Sequence, residues 1–150
     1  MRRNLDIGMR IKLSEVLCDI KLRHPLINAG GCGVFALSLG NRLSELGYSI
    51  EYRVMINKRN EYDFKLANRA ISNNSIRDIN ETNWEHIMVK VGKHYIDVGG
   101  IYDEVTKYRI SDNISEEFLR EWLSIRRMWN SMFDRKQMKG INMRLNNLLK

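Results

Sequence analysis

A chain of 150 residues with 43% hydrophobic and 29% charged residues has the composition of one globular domain. It is long enough for a real core and too short for two full ones. A single proline, no low-complexity tract and no internal repeat exclude a linker-like or solenoid chain.

The formal net charge of +7 is unevenly spread. Between Arg120 and Lys150, eight Lys and Arg stand against Glu121 and Asp134. Such a basic segment attracts nucleic acid or an acidic protein partner; the other reading is a solvated helix face with cations near a helix C-terminus. No apolar run reaches the about 20 residues that span a membrane, and Met1-Arg2-Arg3-Asn4-Leu5-Asp6 leads into no apolar h-region. The expected location is cytoplasmic, with no membrane contact. In that reducing setting Cys18 and Cys32 are expected to stay unpaired.

Residues 5–22 read as a helix, because Leu5, Met9, Leu13, Val16, Leu17 and Ile20 recur at spacings of three and four. Cys18 lies on the apolar side of that pattern and is expected to be a small buried hydrophobe. His24-Pro25 ends the helix. A short connection from Leu26 leads to Gly30-Gly31-Cys32-Gly33-Val34-Phe35-Ala36, which opens a second helix running from about Cys32 to Leu46. Phe35, Leu39 and Leu43 form its apolar stripe, and Gly47 is its stop. A helix start favours an anion, thiolate is the nucleophilic form of cysteine, and flanking glycines let backbone or substrate approach the sulfur.

Tyr48 to Ile56 alternates at period two and reads as a strand. Residues 57–83 are rich in Asn, Arg and Ser, with a weak helical pattern around Tyr62, Leu66 and Ala70. They read either as a lid or substrate-binding insertion or as a solvent-exposed connector. Trp84–Val91 and His94–Ile101 then form a hairpin about a Gly92-Lys93 turn of type II′. In the C-terminal region Ser111, Asp112 and Ser115 are candidate N-caps. Phe118, Trp122, Ile125, Trp129 and Met132 are spaced as a packing face of a helix. Gly140 is expected to break that helix before a last one over Ile141–Leu149.

The turn sets the register. Val91 should face His94, Lys90 Tyr95, Val89 Ile96 and Met88 Asp97. Side chains alternate between faces, so Ile87, Val89, Val91, Ile96 and Val98 form a core face that also carries His94. Trp84, His86, Met88, Lys90, Tyr95 and Asp97 form the other. His86 and Asp97 are then diagonal neighbours, about 7 Å apart at the backbone and within reach through their side chains. An aspartate there can orient one imidazole nitrogen and leave the other for a nucleophile. His94, on the opposite face, ranks below His86. The two cysteines and three histidines lack the paired close spacing of a zinc site, and no metal or other cofactor is expected.

The segments Gly30–Ala36 and Trp84–Asp97 resemble the papain-like superfamily in its broad sense, with its papain-type peptidases, transglutaminase-like proteins and arylamine N-acetyltransferases. The pattern looks most like the small transglutaminase-like and phage- or bacterium-type members. The resemblance covers about residues 28–100; Gly33 stands where papain has a tryptophan. It implies an α+β fold, with N-terminal helices packed on a small antiparallel sheet over about 5–110. A helical basic extension over about 111–150 completes one domain. It also implies Cys32 as nucleophile, His86 as general base and then acid, and Asp97 as the residue orienting His86. The Cys32 backbone N–H and the Asn28 side chain would form the oxyanion hole. The implied activity is acyl transfer on an amide or peptide bond through a thioester, as a peptidase or deamidase, with a protein or peptide substrate. The competing reading is a non-catalytic module that binds nucleic acid or an acidic protein through Arg126, Arg127, Arg135 and Lys136.

Overall fold

Asp6 sets the first helix in place: its carboxylate accepts the Met9 N–H at 2.7 Å, and α1 runs Ile7–Arg23. A computed structural model describes residues 4–25, 27, 31–126 and 135–149, leaving out the side chains of 126, 135–137 and 148. Leu13, Val16, Leu17 and Ile20 of α1 are buried as their spacing requires. Cys18 corrects the reading above, because it is exposed. Each helical residue turns about 100° from the last. Leu17 and Ile20 face the core, and Cys18 turns outward beside exposed Ile11 and Leu22.

The second helix, α2 (Cys32–Glu45), buries Phe35, Leu39 and Leu43 and stops at Gly47, whose φ of +93° suits glycine. Its close approach to the sheet depends on two glycines seven residues apart. A Cβ on Gly33 would lie 2.7 Å from Leu123 Cδ2 and 3.1 Å from Ile87 Cδ1; one on Gly40 would lie 2.2 Å from the Tyr52 hydroxyl. Those missing carbons let the start of α2 settle against the sheet.

Strand β1 (Ile50–Asn57) begins two residues later than the alternation predicts. The segment after it is not a bare connector. It forms α3 (Glu61–Ser72) and α4 (Ile76–Asn80), capped by the side chains of Asn60 and Ser75. Ala67, Ala70, Ile76 and Ile79 enter the common core. The helical pattern around Tyr62, Leu66 and Ala70 is α3, although Tyr62 is exposed and the buried face is Asp63, Ala67 and Ala70; α4, five residues long, is too short to show a period.

Strands β2 (His86–Val91) and β3 (His94–Asp97) pair in the register expected from the turn: Val91 with His94, Lys90 with Tyr95 and Val89 with Ile96. Gly92 sits at φ +58°. The second arm is shorter than expected. It ends at Asp97, turns at Val98-Gly99 and returns as β4 (Gly100–Tyr102), with Gly100 opposite Asp97 at φ +147°. A three-residue strand, β5 (Tyr108–Ile110), joins the other edge, giving the antiparallel order β4-β3-β2-β1-β5. Ile87, Val89, Val91, Ile96 and Val98 are all buried on the side that α2 covers.

Ser115 caps α5 (Glu116–Arg126), its hydroxyl accepting the Phe118 N–H at 3.0 Å. Phe118 and Trp122 are buried as expected, together with Leu119 and Leu123, but Ile125 is exposed. Trp129 and Met132 lie outside the described residues. Helix α6 (Arg135–Leu148) runs through Gly140 without a break. A mid-helix glycine costs about 1 kcal/mol relative to alanine. Burial of Met138, Ile141 and Leu145 in the same core as α1, α2 and the sheet outweighs that cost. The described chain is thus α+β, with six helices and a five-stranded antiparallel sheet. None of the described helices is long and apolar enough to cross a membrane.

Candidate active site

The site forms where the start of α2 meets the start of β2. Gly33 against Ile87 brings the two ends together. Gly31 offers no side-chain oxygen to the first turn of α2, whose N–H groups are therefore without a side-chain cap. Cys32, the first residue of that turn, is 5% exposed.

His86 opens β2 and Asp97 closes β3. Across the observed register they are diagonal neighbours on one face, and His86 Nε2 lies 2.8 Å from Asp97 Oδ2. Both side chains are 13% exposed. The second carboxylate oxygen accepts the Gly99 N–H at 2.7 Å. Asp97 therefore spends one oxygen on the ring and the other on the backbone of its own turn. With Nε2 engaged, Nδ1 is the ring atom left for sulfur.

Electrostatics couple the three side chains. Burial disfavours the charged imidazolium, but two partners outweigh it. Asp97 acts through its hydrogen bond and charge, and so does Cys32. Together they raise His86 from 6.5 to about 9. Both partners thus favour the doubly protonated ring.

Beside His86 and Asp97 lies a cleft of about 540 Å³, which Cys32 does not line. His86, Met88 and Asp97 line one wall, and Tyr102 and the segment 104–108 line the other, with Glu85, Glu104 and Lys107 among its charged groups. Tyr102 is a site residue that the sequence reading missed. Burial and the neighbouring Asp97 carboxylate, which its hydroxyl contacts, raise its pKa. The signal was the Gly99-Gly100 pair, which reads as a second turn and would fold Tyr102 back beside Asp97.

His94 takes the opposite face, as expected. It is buried, with Nδ1 2.7 Å from Asp103 Oδ1, and Arg10 of α1 approaches the same oxygen at 3.6 Å. No sulfur accompanies that pair. Asn28 and Arg127 lie outside the described residues, as do the side chains of Arg126, Arg135 and Lys136. Of the other C-terminal cations, Arg120 pairs with Glu116 at 2.8 Å, and Arg144 pairs with Asp19 of α1. Among the described residues no group of three or more His, Cys, Asp or Glu could hold a metal ion. No family model matches this chain, and neither a curated protein nor a solved structure is significantly similar to it.

Proposed function

We propose that this chain is a cysteine-dependent acyl-transfer enzyme acting on an amide or peptide bond, most simply as a hydrolase. The observation that carries the reading is the position of the His86 ring, shared between the Cys32 side chain and the Asp97 carboxylate. The order is a cysteine at a helix start, then a histidine, then an aspartate on the adjacent antiparallel strand. That order is the one seen in the papain-like superfamily, in its transglutaminase-like branch as in its peptidases.

The chemistry follows from the charges. The Cys32 thiolate attacks the carbonyl carbon; a C–S bond forms and the π electrons move to oxygen. First-turn N–H groups of α2 are donors suited to that oxyanion. As the C–N bond breaks, the His86 imidazolium gives its proton to the departing nitrogen, and the carbonyl of a thioester re-forms. Neutral His86 then takes a proton from an incoming water, whose oxygen attacks the thioester. The acid leaves and the Cys32 sulfur departs as thiolate beside imidazolium. Asp97 holds the ring in place throughout.

Thiol labelling tests the reading. Exposure alone makes Cys18 the faster of the two cysteines. Activation by His86 reverses the order, and we expect iodoacetamide to modify Cys32 at least about tenfold faster than Cys18 near neutral pH. p-Nitrophenyl acetate should leave an acetyl thioester on Cys32, read by peptide mass. Faster labelling of Cys18, with no acetyl on Cys32, would remove the proposal.

A further inference from the structure

Asp97 is flanked on both sides, and the second flank has no part in the chemistry above. On β2 its diagonal neighbour is His86. On β4 the residue directly opposite is Gly100, which has no side chain, and the diagonal neighbour is Tyr102. Tyr102 is paired with Tyr95, which shares Asp97's face, so all three side chains stand on the same side of the sheet.

Gly99 shows how tightly these groups converge. A Cβ built there would lie 2.7 Å from the Tyr102 hydroxyl and 3.0 Å from Asp97 Oδ1, the oxygen that already accepts the Gly99 N–H. Only glycine leaves room for the hydroxyl. We infer that Tyr102 is a positioning residue: its hydroxyl donates to Asp97 and, with the Gly99 N–H, locks the carboxylate in the rotamer that meets His86.

The physical case is one of competing rotamers. A carboxylate held only by His86 and one amide can swing into the cleft and find water. A third donor on the far side removes that option. The inference rests on the acyl-transfer reading for its functional meaning, but the clasp itself can be measured without any substrate.

The titratable groups around His86 are Cys32 from α2, Asp97 from β3, and Glu85, Tyr102, Glu104, Lys107 and Tyr108 lining the cleft. Tyr102→Phe removes one hydroxyl and leaves every charge among them in place. The experiment is NMR titration of the His86 ring, assigned with His86→Gln, in the full chain. We expect Tyr102→Phe to lower the His86 midpoint by about one pH unit toward 6.5, with unchanged circular dichroism. Gly99→Ala, which displaces the same hydroxyl from the other side, should move the midpoint in the same direction. A midpoint that is unmoved or raised in both variants overturns the inference. The thiol-labelling order in the unaltered chain is scored separately. A lowered midpoint with Cys18 labelled first would keep the clasp and remove the enzyme.

Discussion

Two histidine–aspartate pairs sit on the two faces of the β2–β3–β4 region, and their distances are nearly the same. His86 meets Asp97 at 2.8 Å and His94 meets Asp103 at 2.7 Å. What surrounds them differs. Asp97 is held on its second oxygen by the Gly99 N–H, and His86 has the Cys32 side chain beside it and a cleft next to it. Asp103 is 57% exposed and shares its oxygen with Arg10, so the His94 pair ties α1 to the edge of the sheet. The two pairs also differ in kind: His86 Nε2 is hydrogen-bonded to Asp97, whereas buried His94 Nδ1 has no hydrogen-bond partner among the described residues despite its short distance to Asp103, and of the two rings His86 has a cysteine beside it.

Removing each histidine breaks the comparison most severely. His86→Ala should slow acetylation of Cys32 by p-nitrophenyl acetate by about 10²–10⁴-fold, the usual contribution of a positioned acid–base group. His94→Ala should change that rate by less than about threefold, though it should cost stability as a buried ring is lost. Equal rate losses in the two variants would make the comparison empty.

The aspartates come next. Asp97→Asn keeps the shape but weakens the hold on the ring, and we expect a loss of up to about 10⁴-fold in the same assay. Asp103→Asn should leave the rate within about twofold and loosen α1, seen as faster amide exchange in residues 7–23.

The last effect is on stability against pH. The His86 midpoint is raised from 6.5 in the unfolded chain to about 9 in the folded one. Its contribution to stability is therefore complete below pH 6.5 and is lost as pH rises through about 9. Urea midpoints should show wild type ahead of His86→Gln near neutral pH, with the gap closing by about pH 10. A gap that stays constant over that range would mean that the His86 charge has no part in folding.

Much of this site could be read without coordinates, and for local reasons. Gly92-Lys93 set the hairpin register, and the period of two then placed His86 and Asp97 on one face. The glycines before Phe35 marked the helix start that carries Cys32. Where the reading failed, the local signal was faint or packing overruled it. Cys18 sat one step beyond a buried residue, Gly140 stayed helical because its neighbours are buried, and the five residues of α4 were too few to show a period. Tyr102 was overlooked because the arm was read as straight through Val98 and Gly99.

By itself the sequence determined the caps, the turns, the two faces of the hairpin and the pairing of His86 with Asp97, since each depends on residues close along the chain. Only the tertiary structure decided that α2 docks so that the Cys32 side chain reaches His86, and that Tyr102 folds back beside Asp97. The physical reason is that docking α2 on the sheet depends on surface fit between distant segments. Gly33 must find Ile87 and Leu123, and Gly40 must find Tyr52, and no periodicity within either segment encodes that match.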